Sequence, residues 1–289
     1  MTPQDRFIDA NRLRHHVLEW NRSGPIVLLA HGFLEHAHAW DFVAPHLAAA
    51  GYHVLALDWR GHGDSQWIGA GGYYHFPDYA ADLAGIVSSL GERVALVGHS
   101  MGAGATVLYA GTEPARVWAL ACLDALGPPD TSPETVPERY VAWLADLERV
   151  ATRPRSRLTL ADATARMRER FPHFADPVAA HMALHGTRAE NGARAWKFDP
   201  LHQTTAPTPY YTRQARPFWA RVACPVLYVA GAESPYRLSD AEEADRLAAL
   251  RADRVELSGV AHHPHLEAPE RLAQVLIAFL GRCRPCADS

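Results

Sequence analysis

One serine in this chain sits where it could act as a nucleophile. Ser100 is the centre of Gly98-His99-Ser100-Met101-Gly102, placed after an apolar run over 93–97 and before a run of small residues over 103–110. A serine hydroxyl is a weak nucleophile at neutral pH, so it needs a base within hydrogen-bond reach and donors for the oxyanion it generates. A sharp strand-to-helix turn exposes the hydroxyl to both, and glycines at 98 and 102 remove side chains that would crowd it. The base has to come from another loop at the same sheet edge. The segment 258–267 follows the last apolar run and carries His262, His263 and His265. The spacing favours His262, three residues after Gly259 in a small-residue loop. His265 leads into the final helical pattern, where it could cap or pack the helix, and His263 lies between them.

The elements that must position these residues are legible as alternating patterns. Apolar runs over 25–30, 53–57, 93–97, 117–123, 225–230 and 255–257 predict strands buried on both faces. Helical patterns over 40–50, 78–90, 103–110, 239–250 and 269–280 fall between or after them, which predicts an α/β fold, a mostly parallel sheet with helices on both sides. Residues 7–20 alternate around Asp9, Ala10 and Asn11 and predict an antiparallel hairpin at the sheet edge. Between 127 and 221 the strand runs vanish, prolines are dense, and helical patterns over 137–150, 160–171 and 176–187 follow one another. This predicts a helical cap, residues 127–221, inserted into a core formed by 1–126 and 222–289. Trp143, Trp196 and Phe198 in that stretch, with Tyr236 outside it, are candidates for lining an apolar substrate pocket; packing of cap onto core is the commoner use of such side chains.

Composition excludes several classes. With 289 residues, 48% hydrophobic and 21% charged, the chain is long enough for a large core and an insertion. Its formal net charge of -4 gives no basic excess for nucleic acid or an anionic membrane. The start is polar, without a signal-like apolar region, and no run approaches a membrane span, so a cytoplasmic protein is expected. Cys122 and Cys224 accompany apolar runs as reduced thiols. The spacing of Cys283 and Cys286 lacks a second ligand pair and reads as part of a tail. The 17 histidines are scattered without H-E-x-x-H or a comparable spaced set, so neither a metal nor a cofactor is expected. Oligomeric state is left open.

Together these motifs resemble the α/β-hydrolase fold over nearly the whole chain, in the order serine, acid, histidine. His31-Gly32-Phe33-Leu34 resembles that family's oxyanion loop, the Asp58-Trp59-Arg60-Gly61-His62-Gly63-Asp64-Ser65 turn resembles members of the fold, and Gly259-x-x-His262 resembles their histidine loop. The resemblance implies an eight-stranded, mostly parallel sheet with a helical cap. It further implies backbone N–H groups of Phe33 and Met101 as oxyanion donors, His31 orienting their loop, and a small-molecule acyl substrate.

The acid departs from the common pattern. Many relatives place Asp at the end of G-x-x-D after the seventh strand, whereas this chain has Gly231-Ala232-Glu233-Ser234. Either Glu233 serves from one residue earlier, or the acid lies after the sixth strand at Asp124, 24 residues beyond Ser100. The second arrangement resembles a subgroup of ester and thioester hydrolases that carry G-x-x-S-P in place of the usual Asp, and Gly231 to Pro235 fits it. Asp124 is therefore preferred and Glu233 is the alternative. The implied function is hydrolysis of carboxylic ester or related acyl bonds of a small, largely apolar substrate through an acyl-enzyme. Similar folds that open epoxides or remove halide place Asp at the nucleophile. Carbon-carbon bond hydrolases and cofactor-free haloperoxidase-like esterases keep Ser and stay open, as does a non-catalytic small-ligand receptor.

Overall fold

The structure, a computed structural model, describes residues 1–154 and 156–285, so Cys286 of the C-x-x-C spacing lies outside the described residues. In chain order the elements are β1 (Gln4–Ala10), β2 (Leu13–Trp20), β3 (Ile26–Ala30), a 3-10 helix (Ala37–Trp40), α1 (Ala44–Ala49), β4 (His53–Leu57), α2 (Phe76–Leu90), β5 (Val94–His99), α3 (Met101–Thr112) and β6 (Val117–Leu123). There follow α4 (Val136–Thr152), α5 (Leu160–Arg170), α6 (Asp176–His185), β7 (Thr187–Glu190), β8 (Ala193–Trp196) and α7 (Thr212–Arg221). The chain closes with β9 (Val226–Gly231), α8 (Asp240–Leu250), β10 (Ala252–Leu257), α9 (Pro264–Glu267) and α10 (Pro269–Cys283).

Eight strands form one sheet in the order β1-β2-β4-β3-β5-β6-β9-β10. β2 pairs antiparallel with β1 and β4, and all other neighbours are parallel. Successive side chains of a strand face opposite sides. Leu28, Leu55, Leu96 and Leu120 pack with Leu83 and Ile86 of α2 and Ala105 of α3. Val27, Val54, Ala95 and Ala119 pack with Leu47 of α1 and Leu272 and Leu276 of α10. Helices on both faces are the reason the central strands read as unbroken apolar runs. β10 departs from that expectation: as the edge strand it begins three residues earlier and exposes Asp253, Arg254 and Glu256. The helix expected over 40–50 is also split. Pro45 is tolerated only in a first turn, so α1 starts at Ala44 and the preceding turn is 3-10.

Residues 127–221 are not free of strands. β7 and β8 form an antiparallel hairpin whose turn residues, Asn191 and Gly192, have φ of 50° and 74°. Asn-Gly is the preferred pair for a two-residue hairpin turn, and the strands give no apolar run because they are short and half polar. This stretch docks through Leu158, Met167, Phe174 and Met182, which pack on Ala39 of the 3-10 helix and Leu266 of α9. Among the described residues no helix is long and apolar enough to cross a membrane.

The turn after β4 is fixed by buried Asp58. One carboxylate oxygen accepts the Ala37 N–H at 2.6 Å; the other accepts the Asp64 N–H at 2.9 Å and bonds His16 Nδ1 at 2.7 Å. Arg60 of the same turn makes two bonds of 2.6 Å to buried Asp82. Burial alone would raise the Asp58 pKa, but the His16 hydrogen bond and charge outweigh it and hold it below the usual carboxylate range. The Asp58 contribution to stability is therefore complete above pH about 4 and is lost as pH falls through its folded value. Burial likewise opposes the charged His16, yet Asp58 raises its pKa, so the histidine's share is present below about 6.5 and fades as pH rises through the folded value. Asp58→Ala is expected to cost about 3–5 kcal/mol in urea unfolding at pH 7 and to flatten the acid side of the stability profile.

Candidate active site

Ser100 sits between β5 and α3 with φ 50° and ψ −116°, a conformation unfavourable for a residue with a side chain. The turn is held because the Ser100 N–H donates to the Leu123 carbonyl of β6 at 3.1 Å. Both flanking glycines are sterically required. A Cβ on Gly98 would lie 2.6 Å from the Ala103 backbone, and one on Gly102 would lie 2.6 Å from the His31 carbonyl oxygen.

His262 Nε2 lies 3.0 Å from Ser100 Oγ, and its Nδ1 lies 2.6 Å from Asp124 Oδ2. Asp124 follows β6 directly, buried and with φ 48°; its backbone N–H donates to Val229 at 2.8 Å. Its other oxygen accepts the Gly231 N–H at 2.9 Å, and Ser234 Oγ donates to Oδ2 at 2.5 Å. With one carboxylate oxygen on the imidazole and the remaining capacity filled by fixed donors, the ring has a single orientation and tautomer. Glu233 is exposed and makes no hydrogen bond or ion pair with His262 among the described residues. The β9 turn aims Ser234, one residue later, into the site and leaves Glu233 facing solvent. Nor does either neighbouring histidine take the base position. His263 is clasped by Phe171 and Phe174, and burial drives its pKa down to about 2.

The loop after β3 carries the other groups. The Gly32 N–H donates to Glu35 Oε2 at 3.1 Å and Leu34, with φ 61°, aims its N–H at His62 Nε2 at 3.4 Å. The backbone N–H groups of Phe33 and Met101 have no hydrogen-bond partner among the described residues, which leaves them as available donors. His31 accepts the Trp59 N–H on Nε2 at 3.1 Å, so the proton is assigned to Nδ1, which donates to the Gly32 carbonyl at 2.7 Å. Burial lowers the His31 pKa and keeps the ring neutral for this role.

Glu35 was not singled out from sequence. Its buried carboxylate lies 2.8 Å from His99 Nδ1 and 3.2 Å from His265 Nε2, and the far nitrogen of His99 donates to the His262 carbonyl at 2.7 Å. Burial opposes ionisation of both Glu35 and His99, yet their mutual attraction drives the Glu35 pKa down and the His99 pKa up. His265 completes this network from α9. The partners of Glu35 come from distant segments, so no local spacing could have revealed them.

A cavity of about 260 Å3 is lined by Leu34 and Trp67 and by residues between 153 and 203; Ser100, Asp124 and His262 are not among its lining residues. Trp196 and Phe198, stacked at 5.9 Å, line it with Trp67 and Phe171. Trp143 does not: it packs on Tyr73 and Tyr140. Tyr236 is also outside it, 68% exposed with its ring edge-on to His262 at 4.5 Å. Arg153, Arg166 and Arg170 line the cavity as well. Three groups of ligand-type side chains exist among the described residues. Two, Glu35/His99/His265 and His16/Asp58/Asp64, are engaged in the networks above. The third joins His38 and Asp41 to His181 and His185, an i,i+4 pair whose partners lie 140 or more residues away and so give no local ligand spacing.

Residues 25–269 match the family described as alpha/beta hydrolase fold. Epoxide hydrolase A of Mycobacterium tuberculosis is 46% identical over 103 residues, 35% of this chain and 32% of that protein. The match thus spans about a third of that relative's length. A hypothetical protein from Pseudomonas aeruginosa PAO1 superposes with a TM-score of 0.87 at 27% identity, covering 98% of this chain and 100% of the other. The thioesterase domain from the curacin biosynthetic pathway gives 0.86 at 25% identity, with 96% and 100% covered. The family match runs from the turn before β3 into α10, enclosing the six parallel-paired strands and the loops at their carboxyl ends, and the chain belongs to the α/β-hydrolase fold family.

Proposed function

We propose that this protein is a cofactor-free serine hydrolase that cleaves carboxylic esters or thioesters of a small substrate through an acyl-enzyme. The observation that carries the reading is the continuous hydrogen-bond chain from Ser100 Oγ through the His262 ring to Asp124, with contacts of 3.0 and 2.6 Å. Ser100 Oγ attacks the acyl carbon while its proton passes to His262 Nε2, and the N–H groups of Phe33 and Met101 receive the oxyanion. The tetrahedral intermediate collapses as His262 returns the proton to the departing alkoxide or thiolate. Water, deprotonated by the same nitrogen, then attacks the acyl-enzyme and releases the acid and free Ser100. Asp124 stabilises the imidazolium, and His99 is a positioning residue acting through the His262 carbonyl. Residues 127–221 act as the cap.

Ester chemistry is favoured over epoxide opening by the nucleophile itself. A serine that opened an epoxide would end in an ether, with no carbonyl for water to attack, whereas an acyl-serine is hydrolysable. The arginines of the cavity refine the substrate: an ester with an anionic group remote from the scissile carbonyl fits Arg153, Arg166 and Arg170, while aromatic walls take its carbon chain.

In p-nitrophenyl ester hydrolysis, Ser100→Ala, His262→Ala and Asp124→Asn should each reduce kcat/KM by about 10,000-fold or more, with Glu233→Gln within about threefold of wild type. Collapse in Glu233→Gln with Asp124→Asn active would move the acid. In a matched pair, a half-ester with a free terminal carboxylate should exceed its methyl-capped analogue in kcat/KM by about 10-fold at low salt, since hydrogen bonds to charged groups contribute roughly 1.5–3 kcal/mol and these arginines are exposed. Arg166→Gln with Arg170→Gln should erase the difference; equal turnover of the pair by wild type would reject the anionic substrate.

A further inference from the structure

We propose a second site, away from Ser100, in which His38, Asp41, His181 and His185 bind one divalent transition-metal ion of the zinc type and clamp the insertion to the core. The four side chains offer ligand atoms that all lie within 4.8 Å of one another. His181 and His185 are one turn apart on α6, so both project from the same face of that helix. His38 and Asp41 lie on and just after the 3-10 helix Ala37–Trp40, against which α6 packs.

The contacts already bring the candidate ligand atoms together. Asp41 Oδ2 is 2.8 Å from His38 Nδ1 and 3.3 Å from His181 Nε2. Ligands bound at 2.0–2.1 Å in a tetrahedron are separated by about 3.3 Å, so the two Asp41 contacts are close to that spacing while the widest pairs, within 4.8 Å, must close by up to about 1.5 Å. The rings of His38 and His185 lie 3.7 Å apart, and those of His181 and His185 4.6 Å apart. Two groups are left over. Asp41 Oδ1 is buried without a hydrogen-bond partner and His185 makes ring contacts only, with His38 and His181, among the described residues, whereas His181 Nε2 bonds the His38 carbonyl at 3.0 Å, a contact that an ion would replace. A metal ion would give the third imidazole and the spare carboxylate oxygen a common partner. Three imidazoles and one carboxylate suit zinc and its neighbours more than calcium or magnesium, which favour oxygen. The three bonding side chains are about 20% exposed, at 19, 20 and 21% for His38, Asp41 and His181, which gives an ion a route in from solvent. Four protein ligands fill a tetrahedron, so the site is structural: binding displaces the protons now on the ligating nitrogens and ties α6 to the 3-10 helix.

The test is a cobalt titration of the full chain after exhaustive chelation, with Cys283 and Cys286 replaced by serine to remove thiol binding. Wild type in that background should take up one equivalent, with the intense visible absorption of four-coordinate cobalt, and zinc should displace it and raise Tm. His185→Ala, His181→Gln and Asp41→Asn should each weaken binding by about 10- to 100-fold or more, with circular dichroism unchanged and, for His185→Ala, ester hydrolysis unchanged. His185→Gln provides the comparison if His185→Ala is misfolded. Failure of wild type to bind saturably, or equal binding by the folded His185 and His181 variants, would overturn the site.

Discussion

A single buried carboxylate organises the carboxyl edge of this sheet. Glu35 accepts the Gly32 N–H, lies beside His99 of β5 and bonds His265 of α9, so the three segments bearing Phe33, Ser100 and His262 converge on one ion. Placing a carboxylate at 5% exposure is unfavourable unless it is compensated, and here His265 and a backbone amide hydrogen-bond it while the His99 ring stands 2.8 Å away as its ion-pair partner. Attraction within this network offsets the desolvation and shifts Glu35 toward the anion and His99 toward the cation. Because His99 also holds the His262 carbonyl, the geometry between Ser100 and His262 depends on a charge that touches neither side chain.

Backbone strain is concentrated beside this network. Ser100 and Asp124 both hold positive φ, at 50° and 48°, at the ends of adjacent parallel strands. Each is locked by a backbone N–H donated to the neighbouring strand region: Ser100 to Leu123, Asp124 to Val229. The sheet thus imposes conformations that the residues alone would not adopt, and it aims both side chains at His262. Ser234, standing where an acid is common in the family pattern, instead donates to Asp124, so the β9 turn supports the carboxylate delivered by β6.

Much of this was legible in the chain because its signals are local. Strands covered on both faces leave long apolar runs, glycines at 98 and 102 record a steric limit, and Gly259 precedes His262 in one short loop. Other features depend on pairings across the fold. Glu35 meets His265 across 230 residues, and nothing near either residue announces it. The β7–β8 hairpin had a local signal in Asn191-Gly192, but Arg188, Glu190 and Arg194 masked its strand pattern. Trp143 and Trp196 read alike in sequence, yet only the second reaches the cavity, because α4 turns Trp143 onto Tyr73. The arginines of that cavity come from α5 and the segment after α4, and their convergence is a product of how those pieces dock.

The central claim is that Ser100 is a nucleophile activated by His262. Its most direct measurement is the rate and position of labelling by a fluorophosphonate on folded protein, read by peptide mass spectrometry. The account predicts one adduct, on Ser100, with labelling slowed by at least about 100-fold in His262→Ala, the scale of general-base assistance. Absence of an adduct on folded wild type, or labelling of Ser100 at the same rate without His262, would contradict it and favour a ligand-binding role for the fold.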